Sequence, residues 1–294
     1  MASVPPPVAY PHPGAPPQPP ERPEGIAPRA PRWAPWTAPV ALIAGFAGAI
    51  FGAVLVGAVG AATGADISDP PPAVNILATV FQGGALIASA LLFARMAGRP
   101  RPWHFGLRAT RLGPAIGWLL LAWLTFIVFS AAWVSALGLE SEDELPSELG
   151  ADESTIALVA VGVLVTVIAP IAEEFFFRAY FFGALRNWKG VWPAAILTGL
   201  VFGGIHAGSS PVGFLVPLAF FGFVLCLLYA RTRSLYPCIV LHALNNALAF
   251  SVSQDWDWQI PLVMLGANAL IFMILLPITR RAGPAPALPA GARA

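Results

Sequence analysis

Charged side chains are scarce in this 294-residue chain: they make up 11% of the residues, whereas hydrophobic residues make up 57%. A soluble globular domain has about 25% charged residues, so most of this chain is expected to lie in lipid rather than in water. The formal net charge is +1, and this near-neutral balance does not indicate a nucleic-acid partner. The composition therefore indicates a membrane protein.

Cysteine is also nearly absent, since the chain contains only Cys226 and Cys238. Both lie in apolar runs, where a small buried side chain is far commoner than a disulfide or a reactive thiol. We predict no redox role for either residue.

The first 37 residues are rich in proline and poor in apolar side chains, as in "MASVPPPVAYPHPGAPPQPPERPEG". Such a segment has too little apolar surface to form a core, so residues 1–37 are predicted to be a disordered tether. A second short disordered tail is predicted at 281–294. The chain does not start with the basic, apolar and cleavage regions of a signal peptide, so the first apolar run is expected to remain as a span.

Residues 38–280 contain repeated apolar runs of the length that crosses a membrane, about 20 residues for a hydrocarbon core of about 30 Å. The runs predict an all-α fold, a polytopic membrane domain of eight transmembrane helices with both termini on the same side. The predicted spans lie at about 38–63, 73–94, 114–137, 155–185, 191–208, 211–230, 235–252 and 258–279.

The loops between these spans differ in charge from one side of the membrane to the other. One set carries the basic residues, such as Arg95, Arg186 and Arg231, and the other set carries acidic residues, as in "ESEDELPSELGADE", with no lysine or arginine. Because basic loops concentrate on the cytoplasmic side, this alternation predicts that both termini are cytoplasmic.

Acidic, basic and histidine side chains inside the spans come from only three of the eight helices, and the seventh span adds two asparagines beside its histidine. These side chains are Glu173, Glu174 and Arg178 in the fourth span, His206 in the fifth, and His242, Asn245 and Asn246 in the seventh. Each such group costs about 2.5–3.5 kcal/mol to insert, so they are candidates for a functional site.

The spacing of these residues indicates which of them share a helix face. Glu174 and Arg178 are four residues apart and are predicted to pair, whereas Glu173 points about 100° away from Glu174. The pairs Phe202 with His206, and His242 with Asn246, have the same four-residue interval. We therefore expect Glu173 to be the carboxylate that the Glu174–Arg178 pair leaves available.

A carboxylate, two imidazoles and an amide are suited to hydrolysis by activated water. The carboxylate can take a proton from water, an imidazole can orient that water or shuttle the proton, and N–H groups can stabilise an oxyanion. No serine, cysteine or aspartate lies at a matching position on these faces. The set therefore predicts attack by water rather than a covalent acyl-enzyme.

These residues form three motifs, "EEFFFR" at 173–178, "FGGIH" at 202–206 and "HALNN" at 242–246. In this order they resemble the CPBP family of intramembrane glutamic endopeptidases, which includes the CAAX prenyl proteases and abortive-infection-type membrane proteins. The resemblance covers about residues 155–250. It implies that Glu173 is the general base and works with His206 on water, that His242 and Asn246 hold the oxyanion, and that Glu174, Arg178 and Phe202 are supporting residues.

Other interpretations of the same residues remain open. A glutamate and two histidines could bind zinc, although the chain has no H-E-x-x-H and Asn246 is a poor ligand, so we expect no metal or other cofactor. The polar cluster could instead hold helices together in a non-catalytic scaffold or a bacteriocin-immunity-type protein. A proton-coupled transporter is disfavoured because no inverted repeat is visible.

The depth at which Glu173 must lie in the membrane predicts how far the fourth span continues. Glu173 reaches the depth of His206 only if the helix continues to Arg186, and the resulting excess length is expected to be absorbed by a kink at Pro170 that frees a backbone carbonyl. His242 is then shallower than the glutamates, which suggests a tilted or interrupted seventh helix.

The expected location is the plasma membrane of a bacterium, because the chain is rich in Ala, Gly, Pro and Arg. The expected partners are the lipid bilayer and a membrane-associated peptide or protein substrate, whose identity the residues do not specify. The oligomeric state is likewise not predicted.

Overall fold

Helices occupy all eight positions at which the sequence predicts spans. The computed structural model describes residues 32–66, 68–139 and 145–281. Its long helices are α1 Thr37–Ala62, α2 Pro72–Ala94, α3 Leu112–Leu137, α4 Thr155–Lys189, α5 Val191–Gly204, α6 Leu215–Thr232, α7 Tyr236–Ser253 and α8 Ile260–Arg281. Short turns of 3₁₀-helix lie at Arg95–Ala97, Pro102–Phe105 and Val212–Phe214, and one α-helical turn at Leu145–Glu148. The described residues contain no strand, as an all-α fold requires.

Six of the described helices, α1 to α4, α6 and α8, are long and apolar enough to cross a membrane. The protein is therefore a multi-pass membrane protein. Helix α5 has only 14 residues, and α7 has 18 residues but includes His242, Asn245 and Asn246. The count of eight spans and the cytoplasmic position of both termini stay predictions.

The folded part begins earlier than the predicted boundary at residue 38. Trp33 is buried and its ring packs against Phe105 and Tyr180, with ring centroids 5.2 and 5.1 Å apart. Burial of so large an aromatic side chain stabilises the fold, even though Trp33 follows a polar, proline-rich stretch. Of the two predicted tails, residues 1–31 and 282–294 lie outside the described residues.

Helix α4 lies at the centre of the helical domain. Its residues Phe176, Phe177, Tyr180 and Phe182 have no exposed surface, whereas outer helices expose large apolar side chains such as Ile50, which is 65% exposed. Apolar side chains that face outwards in this way are expected of helices in contact with lipid.

The continuation of α4 to the end of its motif region is confirmed, because the helix runs without a break from Thr155 to Lys189. Ser154 caps its start by accepting a hydrogen bond from the backbone N–H of Ala157. The helix ends at Gly190, whose φ of 80° an L side chain rarely adopts.

Helix α4 is widened at two places. It is π-helical over Leu164–Ile168 and again over Glu174–Phe181, with α-helix at Thr155–Val163, Ala169–Glu173 and Phe182–Lys189. Insertions of π-helix are uncommon and frequently occur at functional sites. Pro170 lies between these two π-helical segments, and the kink at Pro170 stays a prediction.

Helices α5 and α6 approach each other closely through three glycines. A Cβ atom at Gly203 would lie 2.5 Å from the carbonyl oxygen of Leu215, and one at Gly199 would lie 2.6 Å from that of Ala219. On the facing helix, a Cβ at Gly222 would lie 2.9 Å from Cβ of Phe202. Small residues four apart allow such contacts between membrane helices, and here they position Phe202.

Candidate active site

Glu174 and Arg178 form the ion pair that their spacing predicts. Nη1 of Arg178 lies 3.0 Å from Oε1 of Glu174, and neither side chain has any exposed surface. Nη1 has no hydrogen-bond partner in the described part of the chain, so the contact is an ion pair. The guanidinium also lies 4.3 Å from the centroid of the Phe202 ring. Arg178 is thus compensated by both a carboxylate and an aromatic face.

His242 joins the two glutamates across the interface between α4 and α7. Its Nδ1 lies 2.7 Å from Oε1 of Glu174, the same oxygen that contacts Arg178. This carboxylate oxygen pairs with the Arg178 guanidinium and can only accept hydrogen bonds. Nδ1 of His242 is therefore the nitrogen that carries the proton, and it donates a hydrogen bond to Glu174. Nε2 is then the nitrogen that faces Oε2 of Glu173, at 3.9 Å. The spacing predicted only Arg178 as a partner of Glu174, and the structure adds His242.

Glu173 has a different environment from Glu174, as the angle between them on the helix predicts. Its side chain is 21% exposed, and its one ion-pair contact among the described residues is the long approach to His242. Its Oε2 atom is buried and has no hydrogen-bond partner in the described part of the chain. One carboxylate is therefore fully enclosed and paired, while its neighbour is partly accessible.

His206 lies just beyond α5, which ends at Gly204 rather than continuing to 208 as predicted. Its Nδ1 lies 2.7 Å from the carbonyl oxygen of Phe202. A carbonyl oxygen only accepts, so Nδ1 carries the proton and the neutral ring has its lone pair on Nε2. This backbone contact orients the ring at the end of the helix.

The Phe202 ring lies between the polar groups of the three helices. Its centroid is 4.9 Å from that of His206 and 6.0 Å from that of His242. The structure thus brings both histidines and Arg178 to one aromatic ring. Among the described residues, however, His206 makes no ion-pair contact with Glu173.

Asn246 contacts the backbone of α4 rather than the glutamates. In the first π-helical segment the N–H of Ala169 bonds the carbonyl of Leu164, five residues earlier. In that register the carbonyl of Val165 would accept from residue 170, but Pro170 has no N–H. Nδ2 of Asn246 donates to this carbonyl at 2.9 Å. The freed carbonyl that the proline predicts is present, and a side chain of α7 satisfies it.

The structure also corrects the shape predicted for the seventh helix. Helix α7 is continuous from Tyr236 to Ser253, so the alternative of an interrupted helix is wrong. His242 nevertheless reaches Glu174, and its ring packs edge-on against Phe221 at 5.4 Å. Sequence reasoning missed this contact because Phe221 belongs to an apolar run without any distinguishing pattern.

Cys226 and Cys238 are buried and form no disulfide, which agrees with their prediction as small core residues. Asn245 is half-buried. In the described part of the chain, no group of three or more His, Cys, Asp or Glu side chains is placed to hold a metal ion.

Comparison with known proteins gives the same assignment as the motifs. Residues 155–248 match the family model described as "Type II CAAX prenyl endopeptidase Rce1-like". This segment therefore resembles that family. It includes α4 to α6 and most of α7, and therefore every side chain of the candidate site.

Two curated relatives resemble the chain over a similar length. One is "Putative membrane peptidase YdiL" of Bacillus subtilis (strain 168), 30% identical over 115 residues, which are 39% of this chain and 44% of that protein. The other is "UPF0177 protein YxdF" of Lactococcus lactis subsp. lactis (strain IL1403), 26% identical over 91 residues, which are 31% of this chain and 49% of that protein. The chain thus spans less than half the length of either relative. No solved structure matches.

The resemblance stated from the motifs is confirmed by the family match over the Rce1-like segment.

Proposed function

We propose that this protein is an intramembrane endopeptidase in which Glu173 is the general base that activates the attacking water. The observation that carries the proposal is the difference between the adjacent carboxylates. Glu174 is fully buried and paired with Arg178, whereas Glu173 is 21% exposed and, among the described residues, has an ion-pair contact only with the imidazole of His242, at 3.9 Å. A partly exposed carboxylate is suited to accept a proton from water.

The two histidines complement the glutamate in this mechanism. His206 has its Nδ1–H engaged by a backbone carbonyl, so its Nε2 lone pair is available to accept a hydrogen bond from the water and then to relay to the leaving amine the proton that Glu173 has taken from that water. His242 has Nδ1 engaged by Glu174, so its Nε2 faces the reacting groups and, when it carries a proton, is the donor to an oxyanion. Fixed donors of this kind stabilise the charge that develops on a carbonyl oxygen.

Asn246 is proposed as the second donor to the oxyanion. One hydrogen of its amide nitrogen is used by the carbonyl of Val165, and the other remains for the substrate, because an amide NH₂ has two donors. Its contact with α4 holds the amide at a defined place relative to Glu173.

The proposed reaction needs no metal ion. Exhaustive chelation is expected to leave activity unchanged. Loss of activity that added zinc restores would instead support the zinc-dependent version of the same protease.

The proposed substrate is a peptide precursor or a membrane protein in the plasma membrane of a bacterium. The description of the family model refers to prenylated CAAX substrates. We do not propose a prenylated substrate for this chain. Its composition, rich in Ala, Gly, Pro and Arg, is typical of bacteria with GC-rich genomes, in which prenylated CAAX proteins are not expected.

The test compares the membrane peptidome of cells that produce wild type, Glu173→Gln or Glu153→Gln. Glu153 is an exposed glutamate outside the site, so it is the matched control. We expect uncleaved substrate to accumulate only with Glu173→Gln, while both variants reach the membrane at wild-type levels. An unchanged peptidome with normally inserted Glu173→Gln protein would favour the scaffold or immunity role.

A further inference from the structure

A groove on the surface of the helical domain lies between α3, α5 and α6, away from the side chains of the candidate site. Its volume is about 380 Å³, within the range of about 300–1,000 Å³ that small-molecule sites have. Its walls are mainly large apolar side chains, including Leu121, Phe220, Phe223 and Leu227. Thr125 also lines it, but the hydroxyl of this residue donates to the carbonyl of Leu121. The groove is therefore almost entirely apolar along its length.

The mouth of the groove has a different composition. Trp118, Trp192 and Arg231 lie there, and the guanidinium of Arg231 is 5.0 Å from the centroid of the Trp118 ring. Arg231 is exposed and pairs with no carboxylate in the described part of the chain. Tryptophan and arginine at the end of membrane helices mark the level of the lipid headgroups.

The length of the groove corresponds to one leaflet of a bilayer. Along α6 it runs from Arg231 to Phe220, eleven residues apart, which is roughly 16 Å at 1.5 Å per residue. Half of a hydrocarbon core is about 15 Å. At the far end of the groove from Arg231, the ring of Phe220 is held by stacking on Phe129, with ring centroids 3.9 Å apart.

We propose that this groove binds one anionic phospholipid, with its phosphate on Arg231 and one acyl chain along α6 down to Phe220. A guanidinium forms paired hydrogen bonds with phosphate oxygens, which accounts for a cation without a carboxylate partner. A second helix fits less well, because helix contacts in membranes use small residues that let the backbones approach, whereas this groove is lined mainly by Trp, Phe, Leu and Val.

The selectivity for charge is tested with the full-length protein in detergent by native mass spectrometry, with palmitoyl-oleoyl phosphatidylglycerol and phosphatidylcholine as probes. Wild type is expected to retain one phosphatidylglycerol with about fivefold preference over phosphatidylcholine, the contribution of one basic residue. Arg231→Gln should lose this preference. Lys189→Gln is the matched control, because Lys189 lies 4.5 Å over the Trp188 ring but does not line the groove, and it should keep the preference.

The acyl site is tested by filling the groove from α3. Leu121→Trp should abolish retention of both lipids, whereas Leu124→Trp should not, since both leucines are more than half exposed but only Leu121 lines the groove. Equal preference in wild type and Arg231→Gln, or unchanged retention in Leu121→Trp, would overturn the proposal. Retention of neither lipid by wild type would overturn it as well.

Discussion

Nδ1 of His242 and Nη1 of Arg178 contact the same oxygen of Glu174, at 2.7 and 3.0 Å. One buried carboxylate thus joins α4 to α7 and compensates the guanidinium at the centre of the protein. Among the described residues, the neighbouring Glu173 makes only the longer approach to His242, at 3.9 Å.

Replacement of Glu174 should therefore affect stability, and replacement of Glu173 should not. Glu174→Gln leaves the buried guanidinium of Arg178 without its carboxylate partner, and we expect it to lower the free energy of unfolding by about 3–5 kcal/mol. Glu173→Gln should change it by less than about 1 kcal/mol. Denaturant unfolding in detergent micelles measures both, and equal effects of the two variants would contradict the division of roles.

The planar shape of the Arg178 side chain is expected to matter as well as its charge. Its guanidinium lies 4.3 Å from the Phe202 ring centroid in a fully buried place, so Arg178→Lys keeps the charge but loses the stacked geometry. We expect a loss of about 2 kcal/mol in the free energy of unfolding. Arg186→Lys is the control, because Arg186 lies farther from its ring, 5.6 Å over Phe182, and only partly buried.

Pro170 and Asn246 are predicted to be energetically coupled through the carbonyl of Val165. Asn246→Ala leaves this carbonyl without its donor, at a cost of about 1–3 kcal/mol. In a Pro170→Ala background, residue 170 regains an N–H that can serve the carbonyl, so the cost of Asn246→Ala should fall below about 1 kcal/mol. A double-mutant cycle of unfolding free energies measures the coupling. Strictly additive effects would mean that the two residues do not share the carbonyl.

The contact between α5 and α6 should tolerate no side chain at Gly203. A Cβ there would lie 2.5 Å from a backbone oxygen of α6, so Gly203→Ala must move the helices apart. We expect it to lower the melting temperature in detergent and to reduce activity, since Phe202 and His206 would move with α5. At Gly204 a Cβ would meet no atom within 4 Å, and Gly204→Ala should behave like wild type.

The features of this protein that sequence predicted well are those set by local geometry. Apolar runs of sufficient length marked where each long helix would lie, although α5 ended four residues early, at Gly204. The pairing of Glu174 with Arg178 followed from their spacing of four residues on one helix. The different environment of Glu173 followed from the same geometry, because adjacent residues on a helix point about 100° apart.

The sequence by itself thus determined the class of protein, the positions of its long helices and the division between a paired and an available glutamate. Only the tertiary structure decided that His242 bonds Glu174, that Asn246 reaches Val165 and that α4 is π-helical on both sides of Pro170. The reason is that contacts between helices depend on tilt and relative depth, which the periodicity along one helix does not encode. A span predicted from hydropathy has a length but no position relative to its neighbours.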